Sequence, residues 1–126
     1  MNQLSLSGAL MAFSHAMQGT ANNLANANTD GFKSSRVFFG TGPGGEGVRI
    51  QDVQQNSAHG DFFSDFRVQG GNQGRLEQVQ IEVEAGNTEY VKEMVDLLRF
   101  SRSFEANTIP VHTFEETTGH ILNLLI

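Results

Sequence analysis

The residues of this 126-residue sequence whose types suit chemistry are a glycine-rich hexapeptide and four histidines. Residues 40–45, Gly-Thr-Gly-Pro-Gly-Gly, have the letters of a dinucleotide-binding loop. Such a loop requires a helix directly after it to hold the pyrophosphate, whereas residues 46–51 read as a turn and the start of a strand. The Lys and the Ser or Thr of a P-loop are also missing. We therefore interpret the segment as a loop that binds no cofactor.

The histidines do not form a recognisable metal site. They lie at His15, His59, His112 and His120, and none has the four-residue spacing of a metalloprotease pair. The absence of cysteine excludes a thiolate nucleophile and a cysteine-ligated zinc site. His59 and Asp61 could each supply a metal ligand, but no second cluster completes a site. The sequence thus predicts neither a catalytic residue nor a metal, and an enzyme that uses His59 and Asp61 is kept as an alternative.

The first secondary-structure element that the sequence predicts is an N-terminal helix without charged residues. The first 29 residues contain no Asp, Glu, Lys or Arg. Apolar or small residues recur in heptad-like steps of four and three, at Leu6, Leu10, Phe13, Met17, Thr20, Leu24 and Ala27. Amides and small side chains occupy the other face, where a water-exposed helix usually carries charges. We expect this helix to be surrounded by neighbouring copies and to end near residues 28–31; a buried helix of a monomer is the alternative.

A second helix is predicted for the C-terminal third of the chain. Asn87 and Thr88 suit its N-cap, and Pro110 should kink or break it. Leu122 and Leu125 belong to an apolar end that should dock against another surface, for which the uncharged first helix is the natural candidate.

Short strands are predicted between the two helices. Residues 48–51 alternate in polarity, residues 62–68 form an apolar patch, and residues 78–84 alternate so regularly that one face should be buried. Glycines separate these stretches. We interpret residues 32–86 as loops around one small antiparallel β element.

Composition narrows the classes of function. The net charge is −6, which disfavours a protein that follows nucleic-acid phosphates. No stretch approaches the ~20 apolar residues of a membrane span. The first residues lack the charged and apolar regions of a secretory leader, so we expect no cleaved signal peptide. Hydrophobic residues make up 38% of the chain, which predicts a thin core that a partner surface would complete.

Residues 23–33 carry a far more specific pattern: Asn-Leu-Ala-Asn, two free positions, Thr, one free position, Gly, an aromatic residue and a basic one. This pattern resembles the N-terminal signature of bacterial flagellar rod and hook proteins. The matching positions are Asn23, Leu24, Ala25, Asn26, Thr29, Gly31, Phe32 and Lys33. A second segment resembles the opening of that family's C-terminal helix, at Glu93, Met94, Val95, Arg102, Glu105, Ala106 and Asn107.

The resemblance implies a mainly α fold with a small β element. The N- and C-terminal helices would pair as a coiled coil, with a short antiparallel β region between them. The corresponding segments are residues 1–31, 32–86 and 87–126. The chain has little room for the large β-rich insert of hook and distal-rod subunits, so its length resembles that of short proximal-rod subunits.

The resemblance also implies a function, namely a structural subunit of the basal-body rod that assembles helically into the torque-transmitting shaft. Its partners would be other rod and hook-family subunits, further copies of itself and the flagellar type III export apparatus. Its location would be the periplasm-spanning part of the flagellum, reached without a cleaved leader. No enzymatic activity, nucleic acid, membrane insertion or small-molecule substrate is implied. A soluble adaptor or export-regulating paralogue with rod-like helical ends is the second hypothesis.

The predicted assembly interface consists of apolar residues on the two helices. Its members are Leu6, Leu10, Phe13, Met17, Leu24, Met94, Leu97, Leu98, Phe104, Leu122 and Leu125.

Overall fold

The computed structural model describes residues 3–125, apart from the side chains of Gln3 and Asn72. The outermost positions of the predicted terminal segments, residues 1, 2 and 126, lie outside it. The elements in chain order are α1 Gln3–Ala25, β1 Ser35–Thr41, β2 Val48–Gln55, β3 Phe62–Gly70, β4 Leu76–Glu84 and α2 Tyr90–Leu125.

Small side chains dominate the buried face of α1. The buried residues of this helix are Leu6, Ala9, Ala12, Ala16, Thr20 and Asn23. This face is rotated from the predicted heptad stripe, on which Leu10 and Met17 are only half-buried. The small residues allow strands β1 and β2 to approach closely, since Gly19 lies against Val37. α1 therefore packs against the first hairpin as well as against α2.

α1 ends at Ala25, slightly before the predicted residues 28–31. A hydrogen-bonded turn follows it, in which the Thr29 N–H donates to the Asn26 carbonyl at 2.9 Å. Gly31 then adopts a φ of 65°, a left-handed conformation that glycine takes without a Cβ clash. The chain can therefore turn sharply from α1 into β1.

The middle of the chain forms two separate antiparallel hairpins, β1–β2 and β3–β4, each a two-stranded sheet. The register of β1–β2 shifts between Phe38 and Phe39, whereas β3–β4 runs evenly from Phe62 opposite Glu84 to Gly70 opposite Leu76. The strands predicted near residues 48–51, 62–68 and 78–84 are confirmed. β1 was not predicted. The prediction that β4 buries one face holds only for Val83, because β3 and β4 pack mainly on each other.

α2 is continuous for 36 residues and passes through Pro110, so of the predicted kink or break the break does not occur. The helix begins at Tyr90 rather than at Asn87, and neither Asn87 nor Thr88 acts as a cap hydrogen-bonded to its first turn. Proline removes one donor, but the helix continues through the main-chain bonds on both sides of it.

The two helices run antiparallel. The backbone before α2 lies against the turn after α1, where a Cβ on Gly86 would come within 3.1 Å of the Ala27 carbonyl oxygen. Farther along, the Phe39 ring contacts Phe13 of α1 at 5.4 Å and Phe100 of α2 at 5.6 Å between centroids. α1 has 23 residues and α2 has 36, so the last turns of α2 extend beyond the first turn of α1. Every residue from 112 to 125 is exposed; we call this segment the overhang.

The predicted fold class is wrong in two respects. Four strands in two sheets accompany the two helices, so the chain is α+β rather than mainly α with one small β element. The helices also do not form a coiled coil. A coiled coil needs large apolar side chains from both helices in one shared seam, whereas α1 buries mainly alanines against several elements and α2 contains no buried residue. None of the described helices is both long and apolar enough to cross a membrane.

Candidate assembly site and motif junction

Residues 23–33 connect the end of α1 with three other elements, and we call this region the motif junction. Asn23 is only 1% exposed. Its side-chain Nδ2 donates to the Ser35 carbonyl at 2.7 Å, and its Oδ1 accepts from the Ser35 N–H at 2.9 Å. The amide thus satisfies both backbone groups of one residue, as a neighbouring strand would. This pair of bonds fixes the start of β1 against α1.

The turn of the motif junction binds the end of β4 and the segment just before α2. The Gly31 N–H donates to the Glu84 carbonyl at 2.7 Å, and the Asn87 N–H donates to the Phe32 carbonyl at 3.0 Å. The turn itself is supported by Thr29, whose Oγ1 donates to Asn26 Oδ1 at 3.3 Å. The motif residues therefore close the fold where all its parts meet.

Lys33 and Glu84 form an ion pair at the edge of the motif junction. Glu84 Oε1 also accepts from the Gly60 N–H at 2.9 Å and lies 3.3 Å from His59 Nδ1. The Lys33 hydrogen bond, followed by the one from Gly60, lowers the pKa of Glu84 from 4.5 to about 2 despite an opposing contribution from burial. Lys33 Nζ donates in addition to the Ala58 carbonyl at 2.8 Å. The cluster holds the β2–β3 connection against β4.

Asn87 is a second side-chain amide that joins distant segments, although the sequence predicted it as a helix cap. Its Oδ1 accepts from the Ser34 N–H at 2.8 Å, and its Nδ2 donates to the carbonyls of Asn56 and Ala58, each at 2.8 Å. These partners lie between 29 and 53 residues away in the sequence. No local pattern could have identified them, because an asparagine before a helix fits a cap equally well.

The residues considered for chemistry occupy structural positions. Residues 40–45 comprise the last two residues of β1 and the first part of the turn to β2, and a strand follows that turn, as the sequence predicted. His59 lies beside Glu84 and stacks near the Phe62 ring at 6.0 Å. Among residues 3–125, no group of three or more His, Cys, Asp or Glu side chains is placed to hold a metal ion.

The structure divides the predicted interface residues between two environments. On α1, Leu6 is buried, and the half-buried members are Leu10, Phe13, Met17 and Leu24. On α2, Leu97 and Phe104 are half-buried, whereas the exposed members are Met94, Leu98, Leu122 and Leu125. The aromatic contacts of Phe39 and Phe100 were missed, because Phe39 belongs to the strand that was not predicted.

The C-terminal pattern lies along α2. Glu93 is half-buried in the first turn, and Asn107 is half-buried with its Nδ2 donating to the Ser103 carbonyl at 2.6 Å. The exposed members of the pattern are Met94, Val95, Arg102, Glu105 and Ala106. Most of this pattern therefore faces away from the rest of the chain.

Three apolar surfaces are left uncovered. The outer face of β3–β4, which we call the hairpin face, presents Phe62, Phe66, Val68 and Leu76. The outer side of the first turns of α2, which we call the helix face, presents Tyr90, Val91, Met94, Val95 and Leu98. The overhang presents Phe114, Ile121, Leu122, Leu124 and Leu125. Apolar surfaces of this extent mark interaction sites.

Comparison with known proteins relates the N-terminal part of the chain to a protein family. No curated protein matches the chain. Residues 4–33 match the family model described as flagella basal body rod protein. The match covers nearly all of α1 and extends through the motif junction to Lys33, which confirms the resemblance noted in the sequence. This N-terminal segment of the chain is therefore similar to flagellar basal body rod proteins.

Proposed function

We propose that this chain is a structural subunit of the flagellar basal-body rod, which assembles helically into the torque-transmitting shaft. The observation that carries the proposal is the family match over residues 4–33, the segment whose hydrogen bonds close the fold. The role is mechanical and uses no cofactor or substrate. The partners are other rod and hook-family subunits, further copies of the chain and the flagellar type III export apparatus.

The overhang supports this role physically. Leu124 is 86% exposed and Leu125 is 79% exposed in the single chain. Covering one such side chain completely contributes about 1.5–3 kcal/mol relative to leaving it in water. Several of them on one free helix end therefore give a neighbouring subunit a substantial reason to bind there.

The uncharged outer surface of α1 also supports the proposed role. α1 carries no charged residue, and its outer surface includes Leu4 and Met11, which are 81% and 71% exposed. A helix without charges can be covered by a neighbour without removing ions from water, which would cost several kcal/mol each. We infer that both terminal helices contact other subunits in the assembled rod.

The test is mass spectrometry of purified basal bodies from the source bacterium after stringent washing. We expect peptides of this chain in near-constant proportion to known rod subunits. In the variant Leu122→Asp/Leu125→Asp, two charges would have to leave water on docking, so recovery with basal bodies should fall at least about tenfold. Thr117→Asp/Thr118→Asp, in the same exposed segment, is the matched control and should be recovered normally.

Two outcomes would contradict the proposal. If the unaltered chain is absent from washed basal bodies yet abundant among export components, the adaptor or export-regulating hypothesis replaces the proposal. Equal recovery of both double variants would remove the overhang from the interface.

A further inference from the structure

Asp30 and Gly31 form the one Asp–Gly pair of the sequence, and this pair lies in the turn of the motif junction. In such a pair the glycine nitrogen attacks the side-chain carboxyl carbon of the aspartate, because glycine has no side chain to hinder the approach. The other four aspartates precede Val, Phe or Leu, whose side chains hinder it. Asp30 is therefore the aspartate of this chain that is most open to the reaction.

The reaction is a dehydration followed by a hydrolysis. A bond forms between the Gly31 nitrogen and Cγ of Asp30, a C–O bond of the carboxyl group breaks, and the departing oxygen leaves as water with the amide proton. The product is a five-membered succinimide. Water then opens the ring at either carbonyl carbon and yields aspartate or isoaspartate, in which the main chain passes through the side-chain carboxyl group. Solvent water is the only co-reactant.

The folded chain engages both reacting groups. The Gly31 N–H donates to the Glu84 carbonyl at 2.7 Å, and Oδ2 of Asp30 accepts from Arg67 Nη2 at 2.8 Å. Ring closure consumes the proton that the Glu84 carbonyl binds and one oxygen of the carboxylate that the guanidinium binds. Asp30 is exposed, so water reaches the pair. Protection against the reaction must therefore come from these two bonds rather than from burial.

We propose that Asp30 is a site of isoaspartate formation in this chain, and that the motif junction suppresses the modification through the Arg67 ion pair and the hydrogen bond between Gly31 and Glu84. The unfolded chain forms isoaspartate at Asp30, whereas the folded chain retains aspartate. Asp30 occupies the free position between Thr29 and Gly31 in the signature, so the signature itself does not require the reactive residue.

Isoaspartate at position 30 lengthens the main chain by one carbon atom, which is about 1.5 Å. The Gly31 N–H reaches the Glu84 carbonyl over 2.7 Å, and the Phe32 N–H reaches the Thr29 carbonyl over 3.2 Å. A displacement of this size takes at least one of these pairs beyond hydrogen-bonding distance. The modified chain should therefore fail to close the motif junction.

The test compares the folded chain with the chain in concentrated urea, both incubated at neutral pH and physiological temperature. Isoaspartate is counted with an isoaspartyl methyltransferase and a radiolabelled methyl donor, and its position is read from the loss of Asp-N protease cleavage before residue 30. Asparagine deamidation also gives isoaspartate, but it raises the peptide mass, whereas isomerisation of Asp30 does not. We expect formation at Asp30 to be at least about tenfold slower in the folded chain, because ring closure there requires local opening.

Arg67→Gln isolates the ion pair. In the folded chain it should raise the rate of isoaspartate formation about twofold to fivefold, as expected for the loss of one exposed ion pair, and it should leave the rate in urea unchanged. Arg75→Gln removes the same charge from the same hairpin but not from Asp30, so it is the matched control and should react like the parent. Rates measured in low urea, below the unfolding transition, separate the two routes: local protection gives a rate that hardly rises there, whereas global unfolding gives one that rises with urea.

Three results would overturn the proposal: no isoaspartate at Asp30 in urea, equal rates in the folded and unfolded chain, or equal rates in the folded Arg67→Gln and Arg75→Gln variants. Refolding gives a second measurement. Chains that carry isoaspartate after incubation in urea should be enriched in the fraction that elutes as unfolded during size-exclusion chromatography. Equal isoaspartate content in both fractions would contradict the expected opening of the motif junction. None of these results depends on whether the chain is a rod subunit.

Discussion

At the scale of single residues, Asn23 is the polar side chain on which the start of β1 depends. Replacing it with alanine leaves the Ser35 N–H and carbonyl without partners in a part-buried position. Losing these two bonds and leaving their partners unsatisfied should lower the free energy of unfolding of Asn23→Ala by about 2 kcal/mol. Urea unfolding followed by circular dichroism measures this change.

Asn22→Ala is the control for that substitution. Asn22 is exposed and adjacent in the same helix turn, so its removal should change stability by less than about 0.5 kcal/mol. Equal stability of the two variants would show that the Asn23 bonds contribute nothing.

Glu84 should make the stability of the folded chain depend on pH. Its pKa is lowered to about 2 in the folded chain from 4.5, so folding is stabilised when the carboxylate is ionised in both states. This contribution is complete above pH 4.5 and decreases as the pH falls from 4.5 toward 2. The midpoint of urea unfolding, measured across this range, should therefore fall with pH.

Glu84→Gln isolates that contribution from the other carboxylates. The variant should be less stable than the parent at neutral pH, and the difference should shrink as the pH approaches 2, where the parent also loses its charge. A difference that is constant with pH would mean that the Lys33–Glu84 pair does not stabilise the folded state.

The sequence made the residues of the motif visible but not what they bind. Asn23, Gly31 and Lys33 were singled out from their pattern. Their partners Ser35 and Glu84 were not, because Lys33 and Glu84 are 51 residues apart and no local spacing relates them. The resemblance of residues 23–33 to the rod and hook signature was therefore visible in the sequence, whereas the hydrogen-bond network became visible only in the fold.

At the scale of elements, Pro110 weakens a helix that it does not break. Proline inside a helix costs about 3 kcal/mol relative to alanine, and the turns that follow it in α2 contain no buried residue among those that the structure describes. Pro110→Ala should therefore slow amide hydrogen exchange in residues 111–125 markedly. The global unfolding midpoint should change much less, because this segment contributes no buried residue.

Glu116→Ala, in the same exposed turns, controls for a general gain in helix propensity and should have a small effect on exchange. Exchange in residues 111–125 that is identical in Pro110→Ala and the parent would show that the stability of this part of the helix is limited by something other than the missing donor.

Element types were predicted better than their packing. Periodicity identified both helices and three strands, since each signal is local. The apolar residues of α2 were read as one interface, yet Leu97 and Phe104 face inward while Met94 and Leu98 face outward. Composition alone cannot separate two apolar faces of one helix. The orientation of each face depends on α1 and β1, whose positions were unknown.

At the scale of the whole molecule, the coiled-coil prediction failed because α1 is covered by more than one neighbour. Its alanines admit β1 and β2 alongside α2, a packing that large seam residues would prevent. The buried core is consequently small, and much apolar surface stays outside. The thin core expected from composition and the wrongly predicted seam have the same origin, namely small residues on the buried face of α1.

Removal of the overhang should separate stability from assembly. Among the residues that the structure describes, a chain that ends at Val111 loses only exposed ones, namely residues 112–125. Its unfolding free energy should stay within about 0.5 kcal/mol of the full chain, as for surface changes generally. Thermal unfolding followed by circular dichroism measures this.

A chain that ends at Arg99 is the matched comparison. It loses Phe100, which contacts Phe39, and the half-buried Phe104, so it should fail to give a cooperative transition. If the chain ending at Val111 unfolded equally early, the overhang would have to be part of the folded unit.

The unequal lengths of the antiparallel helices determine how far α2 projects beyond the first turn of α1. At a rise of about 1.5 Å per residue, the part of α2 beyond α1 projects about 20 Å. A second copy that covers this projection with its own uncharged helix cannot sit level with the first. It must be displaced along the helix axis by about that length. The overhang would then set the axial displacement between neighbouring subunits in a stack.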